Sequence, residues 1–268
     1  VLEENQLVDG VYVEVYAGGA GIAWPLLFEE YVRHVHINDI SRSVHAFWNA
    51  ALHDTAQLCR MIEDTEVTIE EWRRQKAIQS RPDDHTPLEL AFSTFFLNRT
   101  NRSGILRAGV IGGRQQNGKW KLDARFNKID LIRRIERIAR YSTRITVYSL
   151  DAAQFLRDIA PTFPAQTLIY LDPPYYVKGQ ELYENHYSHK DHVEIASLLI
   201  HETKRPWIVS YDYAPEIIQL YDGYENIQYD LSYSAQDRYS GSEVMFFSRN
   251  LRVPLIFHPT RVEKKISS

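Results

Sequence analysis

Thr167-Leu168-Ile169-Tyr170-Leu171-Asp172-Pro173-Pro174-Tyr175 is the stretch on which the reading of this chain turns. Its first five residues are apolar, β-branched or aromatic and predict a buried strand. The strand delivers an acid at its end. Two prolines follow, and they lack the N–H that a ladder needs, so the strand stops there. The carbonyl between the prolines has no helix or sheet to join. Two acceptors and an aromatic ring therefore stand side by side. That set suits a planar aromatic amine: the acceptors take its N–H protons while the ring stacks on its heterocycle. A plain Asp-Pro-Pro turn would read the same in isolation, so the rest of the chain has to decide.

Upstream, residues 11–16 alternate as a strand and run into Ala17-Gly18-Gly19-Ala20-Gly21, followed by an apolar helical start. A second strand over 32–37 ends at Asn38-Asp39. A glycine-rich turn lets backbone approach a ligand closely. An acid about 20 residues later, at the end of the second strand, suits the two hydroxyls of a ribose. This much equally fits a dinucleotide-binding dehydrogenase, although the turn departs from G-x-G-x-x-G. Helices are expected over 44–62, after Thr68 and Thr86 as caps, and from Asn127 to about 141. Residues 99–126 show no sustained period and read as loop or short hairpin. Strands over 145–148, 167–171, 207–211, 227–233 and 243–248 then alternate with helices over 152–159 and 189–202. The pattern predicts an α/β sheet interrupted by a second, mostly helical domain. Residues 1–43 and 144–268 would form the sheet domain, and 44–143 the insert.

The 268 residues, 44% apolar and 25% charged, match an ordinary globular chain. The single cysteine, Cys59, excludes an internal disulfide framework and suits a reducing, cytoplasmic setting. No apolar run is long enough to span a membrane, and Val1 to Asn5 lack the basic region and apolar core of a signal peptide. The net charge of −4 hides an uneven distribution. Residues 99–144 hold 13 Lys/Arg against 3 Asp/Glu, whereas the parts on either side are acidic. A concentrated positive segment on a near-neutral chain is the footprint of phosphate binding, that is, of nucleic acid.

With Asp172-Pro173-Pro174-Tyr175 added to the glycine-rich turn, the chain resembles the S-adenosylmethionine-dependent DNA adenine-N6 methyltransferases of the alpha order, the Dam-like group. In that group the glycine-rich motif comes first, a target-recognition segment second and Asp-Pro-Pro-Tyr third. Glu14-Val15-Tyr16-Ala17-Gly18-Gly19-Ala20-Gly21 resembles its cofactor motif. Phe95-Phe96-Leu97-Asn98-Arg99 and Ala124-Arg125-Phe126-Asn127-Lys128 resemble stretches of its insert, and residues 187–192 and Ser210-Tyr211 its later segments.

The resemblance implies a Rossmann-like methyltransferase sheet with an inserted target-recognition domain, and N6 methylation of adenine in double-stranded DNA by base flipping and direct transfer. It implies S-adenosylmethionine as cofactor. Glu14, Tyr16, Ala17, Gly18, Gly19 and Gly21 would face its methionine end. Asp39 would hold its ribose and Ile40 would lie against its adenine. Asp151, with Ala152 or Phe155 beside it, would accept from the adenine amino group. Asp172, which would also border the cofactor, and the Pro173 carbonyl would accept from the target N6; Pro174 would complete the turn and Tyr175 would stack on the flipped base. Asn98, Arg99, Arg102, Arg107, Arg114, Lys119, Lys121, Arg125, Asn127 and Lys128 are the candidates for DNA contact. A cognate restriction endonuclease is an implied partner.

Asp39 and Asp151 also suit helix caps. His186, His189 and His192 lack a completing ligand and are expected to be solvated or substrate-facing, with no metal site. Val15 stands where the group has proline. The group also carries a glycine-and-lysine segment before its first strand, and this sequence starts about ten residues before its own. An amino-group methyltransferase acting on RNA is one alternative. A nucleic-acid-binding relative without activity is the other.

Overall fold

Alternation sets the first strand. Tyr12 and Glu14 face one side of β1 (Gly10–Glu14) and Val13 the other, and all three are buried, so β1 lies inside a sheet covered on both faces. In a computed structural model of the protein, the described residues are 1–176, 187–232, 240–254 and 262–263. Two units are distinguished: Val1–Asp39 with Leu150–Ser268, and Ile40–Ser149.

The first unit contains β1, β2 (Val32–Asn38), β4 (Thr167–Leu171), β5 (Trp207–Asp212), β6 (Asn226–Ser232), β7 (Ser240–Phe247) and β8 (Val262–Glu263); β3 (Ile145–Tyr148) belongs to the second. In the first unit the strands are ordered β2-β1-β4-β5-β7-β6-β8. β2, β1, β4 and β5 run parallel, and β7 enters antiparallel between β5 and β6. The sheet is α/β, as the alternating pattern predicts.

The register puts Tyr12 opposite Leu168, Glu14 opposite Tyr170, and Tyr170 opposite Ile208. By the two-residue pleat, Tyr12, Glu14, Leu168, Tyr170, Ile208 and Ser210 share a face. A pocket of about 400 Å³ lies on it, lined by Tyr12, Leu168, Tyr170, Ile208 and Met245 among others. Val13, Ile169, Leu171, Val209 and Tyr211 form the opposite, fully buried face.

The second unit is built on α2 (Arg42–His53), α3 (Thr55–Asp64), α4 (Ile69–Ser80), α5 (Pro87–Thr100) and α6 (Lys128–Ala139). The helix expected over 44–62 is two helices. Asp54, at φ −117° and ψ 28°, breaks it, and the Thr55 hydroxyl takes the Ala51 carbonyl at the joint. Asp and Thr side chains compete locally with helical backbone bonds, and a single apolar period does not register such a break. α5 starts in a full capping box, Thr86 with Glu89 and Pro87 at the first helical position. It buries residues on every side, from Leu90 to Thr100, which marks it as the central helix of this unit. Phe126 packs on Phe95 and Phe96 at centroid distances of 5.5 and 5.3 Å.

Residues 101–126 hold one isolated bridge, Asn101 with Val110, a short 3-10 helix over Arg102–Gly104, and otherwise turns and irregular chain. Polar side chains order them. Buried Asn101 donates to the Ile105 and Leu106 carbonyls and accepts from the Trp72 indole at 2.7 Å. The expected strand over 227–233 is β6; its residue 233 lies outside the described residues, as does His186.

Candidate active site

A tight turn follows β1. Gly18 has φ +46° and Ala20 φ +50°, and the Ala20 amide closes the turn on the Ala17 carbonyl. At Gly18, Gly19 and Gly21 a Cβ would meet no other atom within 4 Å. These glycines therefore present bare backbone to open space rather than to a packed neighbour. The Gly18 amide donates to Asp39 Oδ2 at 2.9 Å. Asp39 is thus bonded to the turn, and the cap of α2 is Ser41.

Buried Asn38 ties this corner together, a role that its place before Asp39 in the sequence does not signal. Its amide donates to the Val15 and Leu150 carbonyls, both at 3.0 Å, and its oxygen accepts the Leu150 amide at 2.9 Å. The ends of β1 and β2 and the approach to Asp151 are joined by one side chain. Asp151 Oδ1 accepts from the Ala153 and Gln154 amides, so it caps the helical turn α7 (Ala152–Gln154). Ala152 and Phe155 are buried behind it. Ile40, 44% exposed, opens the second unit.

Glu14 is 4% exposed. Its Oε1 accepts the Ala23 amide at 2.9 Å, at the start of α1 (Ala23–Phe28). Burial pushes its carboxyl up to about 7, against the opposing pull of the Ala23 and Ile22 amides. Tyr16 donates to the Tyr187 hydroxyl at 3.0 Å, and the two rings meet edge to face.

β4 delivers Asp172 as expected. Solvent reaches this side chain from one side, but protein backs its carboxyl. The Ser210 hydroxyl donates to Asp172 Oδ1 at 2.8 Å, and the Tyr170 hydroxyl lies 2.9 Å from Ser210 Oγ. Since serine has one hydroxyl proton, Tyr170 donates to Ser210 while Ser210 donates to Asp172. Burial pushes the Asp172 carboxyl above its ordinary range. The Ser210 bond lowers it and the nearby Glu243 charge raises it further. Pro173 is buried and Pro174 half-buried. The Tyr176 amide donates to Asp212 Oδ1 at 2.7 Å, which fixes the chain as it leaves the prolines. The Tyr175 hydroxyl points to Glu243 Oε1 at 3.5 Å, and Tyr229 donates to Glu243 Oε2 at 2.8 Å. Ser210-Tyr211 resembles a family segment but carries no role in sequence alone, and nothing local marks Tyr170 or Glu243 as site residues. Strand register alone brings these residues to Asp172.

One expectation fails here. His192 is neither solvated nor substrate-facing but 0% exposed, ringed by Tyr176, Tyr187 and Tyr211 at 5.3–5.5 Å. His189 is exposed. Among the described residues no three His, Cys, Asp or Glu side chains are grouped to hold a metal, and no helix is long and apolar enough to cross a membrane.

In the second unit the expected DNA-contact residues divide by what their side chains do. Arg99 Nε donates to the Arg125 carbonyl, and Arg125 donates to the Asn98 and Asn101 carbonyls. Asn98 donates to the Gly104 carbonyl, Asn127 caps α6, and Lys128 donates to the Glu63 carbonyl. Arg102, Arg107 and Arg114 instead line a cleft of about 500 Å³, with Lys76 and Trp72. Lys76, from α4, was not among the sequence candidates because it lies outside the basic segment. Lys119 and Lys121 flank Trp120, and Lys121 reaches the Gln116 carbonyl.

No curated protein sequence matches the chain. Similar solved structures include the rRNA methyltransferase AviRa from Streptomyces viridochromogenes, at 12% identity and TM-score 0.42, covering 93% of this chain and 81% of that one. Another is a putative methyltransferase, YhhF, from Escherichia coli, at 10% identity and TM-score 0.36, covering 90% and 76%. The assignment of family rests instead on sequence. The profile of the D12 class N6 adenine-specific DNA methyltransferases matches residues 2–234, from the start of the sheet unit through the whole second unit to the end of β6. The chain belongs to that family, whose members transfer a methyl group from a donor to the exocyclic N6 of adenine in DNA.

Proposed function

We propose that the first unit binds S-adenosylmethionine and an adenine extruded from double-stranded DNA, with Asp172 and the Pro173 carbonyl as acceptors at the reacting nitrogen. One observation carries this reading: Asp172 stands at the end of β4 with Oδ1 already held by Ser210, so its orientation is fixed before any substrate arrives. Preorganised acceptors cost no reorganisation at the moment of reaction.

The donor set fits the cofactor. A buried carboxyl poised near neutrality, Glu14, suits an ammonium group. Asp39, bonded to the glycine turn, suits ribose hydroxyls, and the bare backbone at Gly18, Gly19 and Gly21 leaves room for the methionine end, with Tyr16 and Ala17 beside it. Asp151 with Ala152 suits an adenine edge. When bound, S-adenosylmethionine supplies an electrophilic methyl group on a sulfonium, so the protein's task is placement.

The N6 lone pair of adenine is delocalised and weakly nucleophilic. Asp172 and the Pro173 carbonyl accept its two N–H groups and favour a pyramidal nitrogen with a localised pair. The Asp172 charge also stabilises positive charge growing on N6, and the proton that N6 sheds leaves through Asp172 toward its open side. Extruding the base costs a few kcal/mol. Stacking on Tyr175 returns about 1–3 kcal/mol. The basic cleft and loop of the second unit belong in this reading as the DNA contact. The lone cysteine suits a cytoplasmic setting, and a cognate restriction endonuclease is implied by the family resemblance alone.

The test is transfer of labelled methyl from S-adenosylmethionine to duplex DNA, single-stranded DNA and total RNA, followed by nucleoside analysis. N6-methyladenine in duplex DNA is the expected product. Label confined to RNA, or none anywhere, overturns the reading.

A further inference from the structure

Trp120 is out of place by every rule of folding energetics. It is 66% exposed, the most exposed aromatic side chain among the described residues, whereas Trp24, Trp48, Trp72 and Trp207 are all at least 91% buried. Leaving an indole in water forgoes the gain from burial of a large apolar surface.

The loop that presents it is not slack. Gln116 Nε2 donates to the Ile111 and Gly113 carbonyls at 2.7 and 2.6 Å, and its Oε1 accepts the Leu122 amide at 2.8 Å. Gln116 itself has φ +53°, a left-handed conformation that costs a non-glycine residue energy and persists because the surrounding bonds fix it. Gly112 and Gly118 cross at the base of the loop: a Cβ on Gly118 would lie 2.8 Å from Gly112 Cα, and one on Gly112 would lie 2.6 Å from the Trp120 carbonyl. The chain thus spends two glycines and a strained glutamine on holding the indole outward.

The surroundings identify what it meets. Its chain neighbours Arg114, Gln115, Asn117, Lys119 and Lys121 are exposed and polar, a setting unlike the apolar core of a protein–protein contact. The Lys119 ammonium lies 5.7 Å from the ring centroid. The same loop, through Gly112, Gly113 and Arg114, walls the cleft that holds Arg102, Arg107 and Lys76. A single rigid π-face framed by cations is the arrangement that takes a nucleobase and its phosphates.

We infer that Trp120 is a nucleobase-stacking residue of the second unit, laying its indole on a base of bound DNA while Lys119 and Lys121 take the adjoining phosphates. The inference rests on the DNA-methylation reading above. Base faces in a duplex are already stacked, so the base it takes is one unstacked by insertion of the indole or by departure of the target adenine, and any base offers such a face.

The other four tryptophans are buried, but Trp72 lines the basic cleft, so the quenching lost between wild type and Trp120→Phe is what reports on Trp120. The experiment titrates the whole protein with a duplex oligonucleotide and, separately, with heparin, a polyanion without bases. DNA is expected to quench the emission and heparin to leave it unchanged. Trp120→Phe is expected to remove most of the quenching. Trp120→Ala is expected to weaken duplex affinity by about five- to hundredfold, with the salt dependence of binding unchanged because no phosphate contact is lost. Quenching undiminished in Trp120→Phe, or affinity within twofold of wild type in Trp120→Ala while methylation of duplex DNA continues, overturns the role of Trp120 alone. Wild-type protein that neither binds nor methylates duplex DNA overturns the underlying reading, and this inference with it.

Discussion

Ser210 donates its only hydroxyl proton to Asp172 Oδ1 at 2.8 Å, and Tyr170 supplies the hydrogen bond that turns Ser210 that way. The pair spans two parallel strands, β4 and β5, so its geometry is set by the core. Ser210→Ala removes a bond to a carboxyl whose charged form the mechanism needs. Loss of a hydrogen bond to a charged group amounts to about 1.5–3 kcal/mol. Turnover is expected to fall about tenfold or more at neutral pH. The bond holds the Asp172 pKa down against burial, so the acid limb of kcat/KM moves to higher pH in the variant. A pH–rate profile checks both. A profile superimposable on wild type would remove Ser210 from the site.

Asp172→Ala separates chemistry from binding. The side chain stands at the exit of β4, apart from Glu14, Asp39 and Asp151 in sequence and bonded to none of them by its Ser210 contact. Cofactor affinity by calorimetry is expected to stay within a few-fold of wild type. Methyl transfer is expected to drop by about 10²–10³ or more, the usual loss when one preorganised partner of the transition state goes. Measurable turnover near the wild-type rate would transfer the role to another acceptor.

His192 predicts an acid limb of stability. Burial among Tyr176, Tyr187 and Tyr211 lowers its pKa to about 4. The unfolded chain, with an ordinary imidazole near 6.5, takes up the proton first as pH falls. Stability is therefore full above pH 6.5 and is lost as pH falls through 4, by about 3 kcal/mol at most for this group. His36, lowered to about 4 by its own burial, adds to the same window. His192→Phe keeps the ring packing and removes one titration, so its stability is expected to fall less steeply between pH 6.5 and 4 in urea denaturation. Parallel loss in the two proteins would assign the limb elsewhere.

The parts of this molecule legible in its sequence are those with local signatures. Asp172-Pro173-Pro174-Tyr175 announces itself because proline stops a strand, and the turn over 18–21 because glycine suits the positive φ of Gly18 and leaves bare backbone at Gly19 and Gly21. Thr86, Pro87 and Glu89 spell out their own helix start. Asn38, Tyr170, Ser210 and Glu243 were illegible as site residues because strand register decides which neighbours they meet, and register is a long-range property. His192 was misread for the same reason: three histidines close in sequence look solvated until the helix of residues 189–197 turns one of them inward. Lys76 joins the basic cleft across a gap of some 26 residues from Arg102, beyond the reach of any charge-run argument.

Glu14 carries the opposite pH dependence to His192. Its folded pKa of about 7 lies above the ordinary value of about 4.5. The folded protein therefore binds the extra proton, and stability is full below pH 4.5 and lost as pH rises through 7. The shift corresponds to about 3 kcal/mol as an upper bound. Glu14→Gln has no charge to bury, and its amide oxygen still accepts the Ala23 amide that Glu14 holds at 2.9 Å. Without cofactor, the variant is expected to match wild type at pH 5 and to melt at higher temperature at pH 8. With cofactor, it is expected to bind more weakly, because the group set against the ammonium is gone. A carboxyl that destabilises the empty protein and serves the loaded one is retained for binding, not for folding. Thermal melts at the two pH values, with and without S-adenosylmethionine, test this directly. A variant no more stable than wild type at pH 8, or one with undiminished cofactor affinity, would show that Glu14 is a structural acid of the β1–α1 corner and nothing more.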